Sequence, residues 1–224
     1  MGDIYQCVYI QKCGIEQFCK LPENKSIKCL YLRYNHIFDK EIEFIAKTLI
    51  YLTELTLYRS GIYNNGVKII IDELKFLTYL NLCNNYIDDE GGKIIAESLR
   101  HLIYLDLSYN LIGNKGTEYI SIPLKNNKYL ITLNLAGNNI NNNGIEVIVE
   151  LLKINKYLEY LILYDNDIDD ANIKIINELS LINRTNKEKI KNKRAEEKVY
   201  FSIATKQSHW HFEFLEFFDD INLI

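Results

Sequence analysis

The sequence predicts an α/β solenoid in which short parallel strands line one side and helices the other. Two observations predict it. A motif recurs at a fixed period, and each copy is followed by an apolar stripe with the spacing of a helix. The copies are Ile27–Ile37, Leu52–Ile62, Leu77–Ile87, Leu102–Ile112, Leu130–Ile140 and Leu158–Ile168, with a degenerate first copy over Tyr5–Ile15. Their fourth residues, Leu30, Leu55, Leu80, Leu105, Leu133 and Leu161, stand 25, 25, 25, 28 and 28 residues apart.

In Leu77-Thr-Tyr-Leu80-Asn-Leu82-Cys-Asn-Asn85-Tyr-Ile87 the leucines alternate with residues that face away from the core, which is the period of a strand. Parallel strands are expected at 29–33, 54–58, 79–83, 104–108, 132–136 and 160–164, each followed by a helix. The helix stripe is Val67, Ile70, Ile71 and Leu74, spaced i, i+3, i+4, i+7, and it recurs as Ile42/Ile45/Ala46/Leu49, Gly92/Ile95/Ala96/Leu99 and Ile145/Ile148/Val149/Leu152. Pro123 is expected to end its helix early. In the last helix Asn177 and Ser180 stand where apolar residues are expected.

One unit cannot cover its own strand face and helix stripe, so neighbouring units stack into a continuous core. Helices are wider than strands, which bends the stack with the strands inside. The ninth-position amides, Asn35, Asn85, Asn110, Asn138 and Asn166, are expected to form a buried ladder bridging the backbones of adjacent turns, with Cys13 and Ser60 as small stand-ins.

The motif LxxLxLxxNxI, followed by Gly91-Gly-Lys-Ile-Ile95-Ala96-Glu-Ser-Leu99, resembles the ribonuclease-inhibitor-like subfamily of leucine-rich-repeat proteins over about residues 5–182. The resemblance implies a right-handed α/β horseshoe arc with a parallel concave sheet and outer helices. It also implies binding of another protein on the concave face. One branch of the subfamily activates a small GTPase, so a GTPase-activating regulator is the alternative function. That branch carries an acidic tail which this chain lacks, and Arg33 or Arg59 is the candidate finger.

The chain divides into a degenerate repeat and cap at 1–26, repeats at 27–182, and a C-terminal part at 183–224. Asn183–Lys198 holds seven basic and three acidic residues and reads as a polar helix or linker. The aromatic run His209–Phe218 reads as a cap on the apolar end of the solenoid.

Composition narrows the function. With 48% hydrophobic and 25% charged residues the chain is too apolar to be disordered. A net charge of −4 argues against a general nucleic-acid binder. No window is apolar for long enough to span a bilayer, and Met1–Ile10 does not read as a secretory signal. Five cysteines, Cys7, Cys13, Cys19, Cys29 and Cys83, are odd in number, and a reducing, cytoplasmic or otherwise intracellular setting is expected. His209 and His211 lack further ligands at metal spacing, no phosphate-binding loop or nucleophile elbow is present, and no cofactor, metal or catalytic role is expected.

The third, fifth, seventh and eighth motif positions point away from the core. An even scatter of the 17 tyrosines would put about two in these 28 positions, whereas nine are found there. Tyrosine offers large contact area and a hydroxyl at low entropic cost, and Tyr and Arg dominate interface hot spots. Tyr31, Tyr58, Tyr79, Tyr104, Tyr109, Tyr160 and Tyr164, with Arg33, Arg59 and Asp106, are the candidate partner-binding residues. Glu54, Glu159 and Asp165 are expected on the same face, which suits a partner of mixed charge.

Overall fold

A computed structural model of the chain describes residues 7–10, 26–34 and 36–191, with side chains described for 26–34 and 36–185. Seven strands form one sheet: β1 (Cys7–Ile10), β2 (Cys29–Arg33), β3 (Glu54–Tyr58), β4 (Tyr79–Asn81), β5 (Tyr104–Asp106), β6 (Thr132–Asn134) and β7 (Tyr160–Ile162). They pair in chain order and all in parallel. Helices α1 (Asp39–Thr48), α2 (Asn64–Glu73), α3 (Asp89–Ala96), α4 (Asn114–Leu124), α5 (Asn142–Ile154) and α6 (Asp170–Lys191) follow the strands from β2 onward. The degenerate repeat's Cys13, the Asn35 slot and the aromatic run expected to cap the end lie outside the described residues.

Register follows the leucines. Leu30, Leu55, Leu80, Leu105, Leu133 and Leu161 are successive cross-strand partners. All but Leu161 are almost wholly buried, together with Leu32, Leu57, Leu82, Leu107 and Leu135 two residues on. Each such side chain contributes about 1.5–3 kcal/mol by leaving water. Ile42, Ile45, Ile70, Ile95, Ile120, Ile148 and Leu152 close the core from the helices.

Four strands are shorter than the spacing predicts, ending at Asn81, Asp106, Asn134 and Ile162. The cause in three of them is the fifth motif residue. Asn81, Asp106 and Asn134 each accept the N–H two residues on, from Cys83 (2.9 Å), Ser108 (2.9 Å) and Ala136 (3.1 Å), which turns the chain out of the strand. With Tyr31 and Thr56 in that place, β2 and β3 keep five residues. Backbone bonds between turns continue regardless, Leu82 N–H donating to Asp106 O at 2.9 Å and Asn84 N–H to Ser108 O at 2.8 Å.

Pro123 does not end its helix early. α4 runs through it to Leu124, because a proline in the last turn removes a single intrahelical bond while Leu124 is fully buried. In α6 the inward residues are Ile176, Ser180 and Asn183, and Asn177 is exposed. By its contacts the chain divides into Met1–Arg184, the repeat unit, and Thr185–Ile224, of which the described part is the end of α6.

The ninth-position amides form the expected ladder. Asn110 is 5% exposed, accepts Ile87 N–H at 3.0 Å, and donates to Leu82 O (2.9 Å), Leu107 O (3.1 Å) and Ser108 O (3.1 Å). Asn85, Asn138 and Asn166 repeat the arrangement, and the Ser60 hydroxyl reaches Tyr58 O at 3.2 Å.

A second ladder accompanies the longer repeats. Asn127, Asn155 and Asn183 stand 28 residues apart, at the helix-to-strand connection where the three extra residues lie. Asn127 donates to Leu99 O (2.6 Å) and accepts from the N–H groups of Tyr129 and Leu130 (both 2.8 Å). Asn155 likewise donates to Leu124 O (2.6 Å) and accepts from Tyr157 (2.7 Å) and Leu158 (2.8 Å). Asn183 donates to Asn155 O (2.8 Å), but α6 continues through the positions where the chain would turn back, and its Oδ1 is left without a partner beside an equally unpaired Ser180 hydroxyl.

Two stability measurements check the ladders. Asn110→Leu leaves buried backbone groups unpaired and is expected to lower unfolding stability by about 1–3 kcal/mol in urea denaturation. Ser180→Ala removes a buried hydroxyl that has no partner and is expected to leave stability unchanged or raise it by up to about 1 kcal/mol.

Candidate functional site on the open sheet face

The face of the sheet opposite the helices is built from the third and fifth motif positions, and the turn beyond it from the seventh and eighth. The eighth residue has a left-handed backbone in all six described repeats: Tyr34 (φ 56), Arg59 (φ 50), Asn84 (φ 58), Tyr109 (φ 52), Gly137 (φ 60) and Asp165 (φ 55). Only glycine adopts this freely, and other residues pay about 1–2 kcal/mol. Tyr34, Arg59 and Tyr109 are bulky side chains held at positions that such residues rarely adopt.

At the N-terminal end the Tyr31 hydroxyl donates to the Glu54 carboxylate on the next strand. Tyr34 and Tyr58 meet edge to face, 5.3 Å between centroids at 87°, and the Arg59 guanidinium lies 5.8 Å over the Tyr34 ring. Arg33 is exposed beside them. In the centre Tyr79 and Tyr104, cross-strand partners in the register, stack at 4.3 Å and 3°. Toward the C-terminal end the Tyr109 ring lies across Gly137, where a Cβ would come within 2.4 Å of it, and its hydroxyl donates to Asp165 at 2.7 Å. Tyr160 and Tyr164 are exposed, with Arg184 of α6 at 5.6 Å over the Tyr160 ring.

Two acidic residues are not where the sequence places them. Asp106, expected to face a partner, is 1% exposed: its Oδ1 accepts from Ser108 N–H (2.9 Å) and Oγ (2.6 Å), and its Oδ2 from the Tyr104 hydroxyl (3.3 Å). Glu159, at the second motif position, is also buried. The candidate surface therefore carries the rings with Arg33, Arg59 and Arg184, and its acids Glu54 and Asp165 are each bonded to a tyrosine, Tyr31 and Tyr109.

Burial governs the titration of this face. It raises the Asp106 carboxyl above its usual range against the pull of the Ser108 bonds. It pushes the Tyr79 phenol up to about 12, with the Asp106 charge adding to the shift, and raises Tyr104 for the same reasons. The Cys83 thiol is likewise pushed up to about 12 by burial, then by Asp106, which makes it a poor nucleophile. Among the described residues no three His, Cys, Asp or Glu side chains are grouped to hold a metal ion. No described helix is long and apolar enough to cross a membrane.

Arg184 and Gly137 belong to this surface without having been anticipated. Arg184 lies beyond the last motif, where no repeat register announces it. Gly137 was legible only as a departure from the bulkier eighth residues of other repeats.

The class follows from fold and sequence together. The "Leucine Rich repeat" family pattern matches residues 73–96, 98–121 and 126–149, so leucine-rich repeats are present, in an α/β solenoid. The chain is similar in structure to actin-binding site 2 of leiomodin-1, with a TM-score of 0.56 at 21% identity over 72% of this chain and 97% of that one. It is less similar to internalin C2 of Listeria monocytogenes, with a TM-score of 0.46 at 25% identity over 67% of this chain and 58% of that one. Among curated proteins no sequence matches.

The site yields two checks. Stability is expected to hold up to the ordinary tyrosine value of 10.0 and to fall as pH rises toward about 12, because the folded Tyr79 stays protonated where an unfolded one ionises. Tyr79→Phe should shrink that alkaline loss in a pH series of denaturant melts. Gly137→Ala combines left-handed strain with a clash against the Tyr109 ring, so it is expected to lower stability by about 1–2 kcal/mol. If Tyr109→Ala, by emptying the ring's place, restores part of that loss, the clash is the cause.

Proposed function

We propose that the chain is a protein-binding adaptor or recognition module that takes its partner on the tyrosine-rich open face of the sheet. Leucine-rich-repeat solenoids as a class present such extended surfaces to other proteins. The observation that carries the reading is the retention of Tyr34, Arg59 and Tyr109 at left-handed positions where Gly137 shows that a bare turn suffices. The aromatic pairs on adjacent strands supply rigid amphipathic area. No catalytic role is proposed.

The ribonuclease-inhibitor-like subfamily is proposed from the glycine early in α2, α3, α4 and α5. Gly116, for example, has Asp89 Oδ1 2.7 Å from where its Cβ would be, so neighbouring helix starts pack against bare backbone. An intracellular, reducing setting is proposed on Cys29 and Cys83, buried cysteines that are not joined in a disulfide.

The test takes a partner captured by the full-length protein and measures its affinity for variants. Tyr79→Ala/Tyr104→Ala leaves Leu80, Leu82, Leu105 and Leu107 in place, so the fold is expected to survive while binding weakens by roughly 2 kcal/mol or more. Lys93→Glu, on the outer face of α3 where Lys93 pairs with Glu90 at 2.9 Å, should leave binding nearly unchanged. A folded double variant that binds as tightly as the parent would falsify the open-face reading.

A further inference from the structure

The helix-to-strand edge of the repeat unit carries a row of rings unconnected with the sheet-face tyrosines. The residue just before each motif from Leu52 onward is Tyr51, Phe76, His101, Tyr129 or Tyr157, whereas Ser26 precedes the copy at Ile27. Because the strands run in register, these five positions repeat along one edge, about 4.8 Å apart where they enter the sheet. Tyr51 and Phe76 pack at 6.1 Å. Tyr51, Phe76 and Tyr129 are 50%, 58% and 60% exposed, so packing does not account for them, and the exposed Ile50 and Ile154 lengthen the apolar strip.

Cations interleave with the rings. Lys75, Arg100, Lys128 and Lys156 each directly precede an aromatic or histidine of the row, and the Lys28 ammonium sits 4.9 Å over Tyr51. The acidic residues nearby are Asp72, Glu73, Glu97 and Glu150 at the adjoining helix ends, with Asp72 and Glu150 paired to Lys68 and Lys153, and the buried Glu159 two residues after Tyr157. In a chain of net charge −4 this edge is thus locally basic. Complementing the helix C-termini explains part of it, since Lys75 donates to Ile71 O at 2.8 Å and Lys156 to Leu152 O at 3.2 Å. That explanation gives no reason for solvent-exposed rings and isoleucines between the cations.

We propose that this edge docks on an anionic lipid surface, with Tyr51, Phe76 and Tyr129 entering the headgroup layer and Lys75, Arg100 and Lys128 meeting lipid anions. Tyrosine and phenylalanine settle at that depth, and cations are drawn to the negative leaflet. A single-stranded nucleic acid fits less well. Bases stack on free ring faces, whereas Tyr51 is covered by Lys28 and flanked by Phe76, and the isoleucines have no counterpart in a stacked base. Docking by this edge leaves the sheet face open, so the two surfaces act independently.

The test mixes full-length protein with vesicles of phosphatidylcholine alone and with vesicles containing a third phosphatidylserine, and reads the bound fraction by co-sedimentation. Binding is expected to the anionic vesicles only and to weaken with salt. Each cation near such a surface is worth about a fivefold gain in partition, so Lys75→Glu/Arg100→Glu/Lys128→Glu should lose roughly a hundredfold or more. Phe76→Ser/Tyr129→Ser should weaken binding at unchanged charge, and Tyr79→Ala/Tyr104→Ala should bind as the parent does. All variants are checked for fold by circular dichroism. The proposal is overturned if the anionic vesicles are not bound, if the folded charge-reversed variant binds them equally, or if the edge substitutions abolish binding of an oligothymidine or self-association while vesicles are ignored.

Discussion

Each turn of this chain leaves backbone groups that neither the sheet nor the helix reaches, and one buried amide per turn satisfies them. Asn85, Asn110, Asn138 and Asn166 each accept an N–H from the preceding turn and donate to carbonyls of both turns. An orphaned buried amide or carbonyl costs about 1–3 kcal/mol, so turns that lack the bridge cannot stack at this spacing without loss. The leucine register, the parallel pairing and the row of outward side chains all inherit their spacing from it. Ser60 shows how little suffices where the next turn helps: its hydroxyl bonds Tyr58 O at 3.2 Å and reaches Leu32 O of the preceding turn at 3.5 Å, and its own N–H is taken by Asn85.

That same turn creates the functional surface. Directly before the ninth-position residue the chain passes through a left-handed residue, and five kinds of side chain occupy it across six repeats while the backbone does not change. Tyr34, Arg59 and Tyr109 are thereby held in place by a turn that exists for structural reasons. The central strand adds a buried carboxylate where its neighbours have amides: Asn81 and Asn134 make the same bond to the N–H two residues on as Asp106 does. Asp106 differs in also receiving the Ser108 and Tyr104 hydroxyls, which offsets its desolvation and ties the Tyr79/Tyr104 stack to the floor of the face.

Charge is sorted by helix polarity. Asp39, Glu41, Asp89, Glu90 and Asp170 lie in first turns, while Lys47, Lys93 and Lys153 lie in last turns, as the helix macrodipole favours. The sorting is partial: α2 and α4 have neither an acid in the first turn nor a base in the last, and α2 ends on Asp72 and Glu73. Beyond the helix ends, Lys75 and Lys156 donate to carbonyls of the last turns of α2 and α5, which places these two cations beside the exposed rings of the helix-to-strand edge.

The repeat period, the strand register, the buried leucines and the asparagine ladder were all legible in the sequence, because each depends on residues within one turn and on repetition. The third- and eighth-position tyrosines could be assigned to the open face for the same reason. What lay beyond the sequence was decided by which polar groups the folded backbone brings within bonding reach. Asp106 reads as an exposed acid by position, yet the hydroxyls of Tyr104 and Ser108 in its own repeat close over it. Strand lengths depend on whether the fifth residue can reach the N–H two places on, which Asn and Asp do and Tyr31 and Thr56 do not. The 28-residue spacing of Asn127, Asn155 and Asn183 was present in the sequence, but only the fold shows why it matters. A side chain in that connection bonds the turn before it, and burial makes the bond obligatory.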